Sequence, residues 1–276
     1  MALTAKGRVI DGITCYAPEL ADDYGSYPAE GFDVTVQVEE ESFWCRSRNR
    51  LVRQLLERFA PAGRPVRFLE IGCGTGNVLK NLRQLPGVQL TGSEIYLGGL
   101  RHAKRRLPDV EFIQVDATAM PFDGEFDAIG AFDVIEHIAD DGLVLLNIHR
   151  SLAPGGLVLI TVPQYQWMWS RLDELVHHQR RYTRRDLSLK LAGAGFRLEY
   201  MSSFVMFLFP LMAASRLASR NRAADADSKA EFASEVQLPP IINRVFDAVM
   251  HLDEWLIRRG VSLPFGGSLV AVARRQ

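Results

Sequence analysis

Glu70, Glu94 and Asp116 each close a short apolar run, and Gly72, Gly74 and Gly76 follow the first of them at every second position. Glycine permits positive φ or close approach of a ligand to the backbone, because no Cβ stands in the way. A carboxylate at Glu70, directly before such a bend, is placed to receive an amino group. The backbone opened by the glycines suits a ligand less anionic than a pyrophosphate. The dinucleotide fingerprint is G-x-G-x-x-G/A, with its third small residue where the helix packs on the strand; Asn77 holds that slot here. Glu94 lies eighteen positions past Gly76, and an acidic residue about 20 positions beyond the glycines, at a strand tip, accepts hydrogen bonds from two ribose hydroxyls. Singly, each acid also reads as a turn or cap residue; their joint spacing is what indicates a ligand.

Proton chemistry falls to His137, His177, His178 and Tyr182, the groups able to act as a general base where an acceptor must lose a proton. His137 also reads as a packed structural histidine beside a core strand. His177 and His178 are neighbours whose side chains point apart on a strand or helix, and with no third ligand evident no metal is expected.

The positioning elements follow from periodicity. The run ending at Glu70 is a strand, and Val78, Leu79, Leu82 and Leu85 mark a helix. Strands ending at Glu94, Asp116 and Phe132 then alternate with helices over Leu97–Leu107 and through Leu152, before a strand from Gly156 to Pro163. Such alternation demands a parallel sheet with helices on both faces. Upstream, the stretch from Glu41 reads as a helix with Leu51, Leu55 and Phe59 on its apolar face, ended by Pro61; the first forty residues show no period and read as a partly ordered arm. Downstream, Trp167, Met168, Trp169 and Leu172, then His177 to Tyr182, sit at a strand's carboxyl edge and are read as part of a pocket. Thr183 with Asp186 three places on opens a helix as a variant capping box; Ala192–Gly195 closes it and Phe196–Met201 alternates like a strand.

Phe204–Ala214 is the densest apolar run, yet its length falls well short of the ~20 residues that cross a bilayer. It is expected to be a lid over an apolar pocket or a subunit contact, the alternative being a membrane interface with Arg216, Arg220 and Arg222 at the headgroups. Residues 221–235 read as a linker. Pro239-Pro240 open a helix with Ile242, Val245, Phe246, Val249, Leu252 and Leu256 as apolar members, ended by Gly260, and Ser268–Ala273 is the last strand. The chain thus divides into an arm and cap helix (1–60), a core (61–203), a helical insertion (204–267) and the core's final strand (268–276).

The segment Arg67–Asn77, reading E-x-G-x-G-x-G, resembles the first motif of the class I S-adenosylmethionine (SAM) methyltransferases, and Asp133–His137 resembles that family's segment after its fourth strand. The resemblance, from about Phe43 to Phe196, implies an α/β fold: a doubly wound, seven-stranded, mostly parallel Rossmann-like sheet, its last strand antiparallel between the fifth and sixth, with helical cap insertions. It implies SAM as cofactor. Glu94 then accepts from the ribose, Asp116 from the adenine amino group, and Ala117 lies beside the ring. Cys73, Asn77, Ile95, Thr118, Phe132, Asp133, Val134 and His137 fall along the same ligand, with the three glycines. Phe43-Trp44 resembles the helix that such enzymes lay over the methionine end of SAM. There Arg48, four residues after Trp44 on one helical face, holds the ligand carboxylate by a charge-assisted hydrogen bond; solvated arginines beside an aromatic anchor are the alternative.

Residues His177–Leu187 and Ala192–Phe196 are similar to a segment of a ubiquinone-biosynthesis-like subfamily. Ala131-Phe132-Asp133-Val134 lacks the Asn/Asp-Pro-Pro-aromatic tetrapeptide that resembling enzymes use on planar amines, and there is no Pro-Cys pair. Planar amide and nucleobase acceptors therefore recede, and a small, apolar or lipid-like molecule is left.

At 276 residues, 47% of them hydrophobic, the chain has ample interior for one large domain. A net charge of −1 provides no basic field, so no nucleic-acid partner is expected. Cys15, Cys45 and Cys73 lack paired spacing, which suggests neither a zinc site nor a disulfide framework. Met1–Arg8 contains no apolar h-region; a cytoplasmic location is expected, peripheral to a membrane if residues 204–222 lie in its interface. Two other classes compete. Asn77 and Glu70 argue against a nicotinamide-dependent oxidoreductase, and intact ligand positions disfavour a non-catalytic partner module that has kept the pocket.

Overall fold

The computed structural model describes residues 7–25, 27–28, 31–61, 63–219 and 238–276. The sequence-expected linker at 221–235, with Arg220 and Arg222, lies outside the described residues. A hairpin, β1 (Arg8–Ile10) and β2 (Ile13–Cys15), opens the described chain, followed by α1 (Gly31–Val38) and α2 (Phe43–Phe59). Ser42 caps α2, its side chain accepting from the Cys45 N–H, and Pro61 stands two residues past its end.

The alternating core comes next: β3 (Val66–Ile71), α3 (Asn77–Leu82), β4 (Val88–Glu94), α4 (Leu97–Arg106), β5 (Glu111–Gln114), β6 (Phe126–Phe132), α5 (Asp141–Ser151) and β7 (Leu152–Pro163). β3 is central, hydrogen-bonded in parallel to β4 on one side and β6 on the other. β5 extends the sheet beyond β4, and β7 beyond β6. Because the chain lays strands outward on one side of β3 and then on the other, a crevice opens at the carboxyl ends of β3 and β6, the switch point where open α/β sheets bind ligands.

Both faces of these strands are covered. Phe68 packs with Leu79, Leu82 and Leu100 on one face, while Leu69 and Ile71 pack with Ile129, Val144 and Ile148 on the other. That two-sided burial is why the strands read as continuous apolar runs. After β7 come α6 (Arg171–Leu175), α7 (Arg184–Gly193) and β8 (Phe196–Phe204), with the capping box of Thr183 and Asp186 formed at the start of α7. α8 (Phe209–Ser219), α9 (Pro240–Arg258) and β9 (Ser268–Arg275) complete the described residues. β9 runs antiparallel between β7 and β8, as expected of the last strand.

Three sequence expectations need correction. Among the described residues the sheet has nine strands rather than seven, because β2 pairs with β5 and carries β1 with it; strands of three residues are too short to show a period. On α9 Phe246, Val249 and Leu256 pack on the core beside the buried Met250 and Ile257, whereas Ile242, Val245 and Leu252 are exposed and Asp247, Asp253 and Glu254 are buried. The buried acids answer to α2: Arg50 reaches Asp247 at 2.8 Å and Glu254 at 2.7 Å, and Arg46 reaches Asp247 at 2.7 Å. The third correction concerns the run from Phe204. Phe204, Val205 and Leu208 belong to the core, Phe207, Leu211 and Leu217 are exposed, and none of these residues borders the main cavity. No helix among the described residues is long and apolar enough to cross a membrane.

Candidate active site

The switch-point crevice widens into a cavity of about 490 Å³, within the range usual for small-ligand sites. Its floor is the bend after β3. Gly72 and Gly74 have φ of +63° and +50°, and a Cβ at Gly72 would lie 2.5 Å from Val134 Cγ2. Backbone rather than side chain therefore faces the ligand space. Gly76, also expected to line the ligand, instead packs on α4: a Cβ there would meet Ala103 Cβ at 3.2 Å.

Carboxylates ring this floor. Glu94 Oε2 accepts from the Gly74 N–H at 3.1 Å, and Oε1 accepts from the amides of Ile95 at 2.8 Å and Tyr96 at 3.4 Å. Burial raises its pKa against the lowering effect of these amides. Glu70, 2% exposed, has one oxygen without a hydrogen-bond partner among the described residues, and burial pushes its carboxyl well above the usual range despite the nearby Arg48. The side-chain amide nitrogen of Asn77 is likewise buried and without a partner among the described residues. Asp116 borders the cavity while accepting from the Thr118 N–H and Oγ1, both at 2.8 Å, so the turn role and the wall position coincide. Thr118 itself is spent on that turn and lies off the wall.

From α2, Arg48 reaches the cavity, donating to Asp133 Oδ2 at 3.0 Å. Its guanidinium sits 4.8 Å from the Trp44 ring centroid. Trp44 therefore braces Arg48 from behind and is not itself on the wall. Thr161 Oγ1 donates to the same Asp133 oxygen at 2.9 Å. Cys73, Ile95, Ala117, Phe132, Val134 and His137 also border the cavity.

Of the proposed bases, only His137 reaches that wall. His177 is exposed and contacts Gly25 O at 3.2 Å. His178 stands behind His137, ring centroids 4.6 Å apart, and gives Nδ1 to Asp173 at 2.8 Å. Tyr182 is fully buried, its hydroxyl donating to Asp141 Oδ2 at 2.6 Å; burial, then Asp141, pushes its pKa far up. Such a phenol is a strut rather than a base. Since Asp141 keeps Lys190 at 2.6 Å, Tyr182→Phe is expected to cost about 1 kcal/mol in chemical denaturation and to leave ligand affinity unchanged.

Sequence reasoning missed the cover. Tyr27, Phe32, Thr35 and Glu39, on and around α1, border the cavity with Thr75 and Tyr96, while of the segment read as pocket wall Gln179 reaches it and Trp167, Met168, Trp169 and Leu172 do not. Thr75 Oγ1 donates to Glu39 at 2.7 Å and Arg106 pairs with Glu39 at 2.6 Å, tying α1 to the glycine bend and α4. The available signal was aromatic rather than periodic: Tyr24, Tyr27 and Phe32 crowd a stretch that lacks a core pattern.

The topology and its crevice are those of the Rossmann-like class I methyltransferase fold. The chain belongs to the methyltransferase domain family, whose profile matches residues 44–200. It is 32% identical over 148 residues to trans-aconitate 2-methyltransferase of Azoarcus sp. strain BH72, covering 53% of this chain and 56% of that protein. With demethylmenaquinone methyltransferase of Thermus thermophilus it shares 34% identity over 125 residues, 43% of this chain and 54% of the other. The chain thus spans just over half the length of these curated relatives. Among solved structures, phosphoethanolamine N-methyltransferase 2 of Haemonchus contortus bound to S-adenosylhomocysteine superposes with a TM-score of 0.56 at 20% identity, over 92% of this chain and 58% of that one. The [4+2]-cyclase SpnF gives 0.55 at 21% identity, over 82% and 81%. A cyclase on the same sheet illustrates that fold does not dictate reaction.

Proposed function

We propose that this protein transfers a methyl group from SAM to a small, hydrophobic or lipid-like acceptor. The observation that carries the reading is the buried Glu70 carboxylate, one oxygen unpartnered, in a cavity also bordered by Glu94, Asp116 and Asp133. Among the bordering residues Arg48 supplies the guanidinium. Such a wall favours a ligand bearing positive charge, as an ammonium and a sulfonium do, and disfavours the pyrophosphate of a dinucleotide.

Bound SAM supplies a methyl carbon on a sulfonium; transfer forms the acceptor–carbon bond as the carbon–sulfur bond breaks, its electron pair staying on sulfur. The protein's part is alignment, worth up to ~7 to 11 kcal/mol in well-oriented systems. Glu70 receives the amino group and Arg48 the carboxylate. Glu94 uses its remaining lone pair on the ribose, and Asp116 accepts from the adenine amine beside Ala117. Tyr27, Phe32, Val134 and Ile138 exclude water from the reacting end.

Calorimetric titration with SAM and with NAD tests the cofactor, and labelled SAM with extracts or isolated small metabolites tests the transfer. Binding of SAM at micromolar concentration without detectable NAD binding is expected; the reverse would overturn the reading. Label moving from SAM into an extractable small molecule separates an enzyme from a non-catalytic binding module.

A further inference from the structure

Behind the cavity wall lies a cluster that the alignment of SAM does not use. Glu136 is fully buried, and neither of its carboxylate oxygens has a hydrogen-bond partner among the described residues. Its oxygen Oε1 faces His178 Nε2 at 3.9 Å, too long for a hydrogen bond. One donor atom from each of Glu136, His137 and His178 lies within 4.8 Å of the other two. Ligands of one divalent ion bound at about 2.0–2.2 Å stand roughly 3–3.5 Å apart, so closure by roughly 1–2 Å forms the site.

The surroundings orient these donors as a metal site requires. His178 Nδ1 bonds Asp173 Oδ1 at 2.8 Å, and Asp173 is clamped by Arg181 at 2.8 Å and by Ser170. With its Nδ1 engaged by Asp173, His178 turns Nε2 towards Glu136, the carboxylate–histidine–metal arrangement. The Gln179 N–H donates to Glu136 O at 2.7 Å, locking the two segments together.

We infer that Glu136, His137 and His178 form a binding site for a divalent transition-metal cation at the acceptor end of the cavity. Two imidazoles and a carboxylate suit zinc, manganese or iron and leave coordination positions open. His137 and Gln179 border the cavity, so those positions face the acceptor. Resting on the methyltransferase reading, the acceptor is then one whose nucleophilic hydroxyl lies beside a second oxygen. Coordination lowers that hydroxyl's pKa; its proton leaves to solvent and the oxygen keeps the electron pair that attacks the methyl carbon.

Protein stripped with chelator is titrated calorimetrically with Zn²⁺ and with Mn²⁺, and loaded with Co²⁺ for absorption spectroscopy. One ion per chain, with proton release and cobalt bands in the visible range, is expected. Glu136→Gln and His178→Ala should each weaken binding by at least tenfold, and Asp173→Asn by roughly 10–100-fold, with circular dichroism confirming folded protein. Absence of stoichiometric binding by wild type, or unchanged affinity in folded Glu136→Gln and His178→Ala, would overturn the inference and leave Glu136 a buried neutral acid. SAM titration of the stripped protein is read separately: metal binding without SAM binding sinks the cofactor reading, and the converse sinks the metal site.

Discussion

Glu94→Ala is expected to weaken SAM binding by at least about 10²-fold. In the proposed complex Glu94 accepts from a ribose hydroxyl with its remaining lone pair, and a hydrogen bond to a charged group is worth about 1.5–3 kcal/mol, every 1.4 kcal/mol being tenfold in affinity. A second effect adds to this one. The same carboxylate accepts from the amides of Gly74, Ile95 and Tyr96, so its removal also frees the bend that presents Gly72 and Gly74. Glu94→Gln keeps the shape but leaves one acceptor oxygen, and a loss of about tenfold is expected. Titration calorimetry on both variants, with melting curves as a control for folding, checks the ordering. A wild-type dissociation constant for folded Glu94→Ala would remove Glu94 from the site.

For Glu70→Gln, stability and binding are expected to move in opposite directions. The folded-state pKa of Glu70 lies above its unfolded value, raised by burial. The folded chain therefore keeps a proton that the unfolded chain loses, and Glu70 lowers stability progressively as pH rises from the ordinary carboxylate range through the raised value. Below that window the penalty vanishes. The neutral amide removes it, so ligand-free Glu70→Gln should melt above wild type at pH 8, by the equivalent of about 1–3 kcal/mol, and together with it near pH 4. With SAM present the order changes: an ammonium that meets an amide instead of a carboxylate should bind at least about tenfold more weakly. Wild-type affinity should also rise with pH, since the cation displaces the proton. Identical melting temperatures at both pH values would show that Glu70 is not the strained, unpaired acid described here.

Stability of this kind is given up at functional sites, where preorganised groups wait for a ligand. Glu70 and Glu136 are both buried carboxylates with unpartnered oxygens, and burial raises both well above the usual range. Yet their neighbourhoods differ. Glu70 stands before a glycine bend among other acids, an arrangement for an organic cation, whereas Glu136 faces imidazole nitrogens, an arrangement for a metal ion.

Strand and bend were legible from local pattern, because backbone geometry at Gly72 and Gly74 and two-sided burial of β3 and β6 leave their mark within a dozen residues. The capping box at Thr183 and the helix opened at Pro240 were legible for the same reason. That α9 also buries Asp247 and Glu254 was not, since those acids answer to Arg46 and Arg50, some 200 positions away along the chain. Nor was the role of Tyr182, whose partner Asp141 opens α5, some 40 positions earlier in the chain.

By its own order of residues, this chain determined the alternating sheet, the glycine bend and the acids at the strand tips, all of them consequences of short-range sterics and hydrophobic periodicity. Tertiary structure alone decided which acids remain unpaired, that α1 rather than the run from Phe204 covers the cavity, and that Glu136 and His137 meet His178. The physical reason is that desolvation and coordination depend on what surrounds a group in space, and those surroundings come from segments that share no local signal.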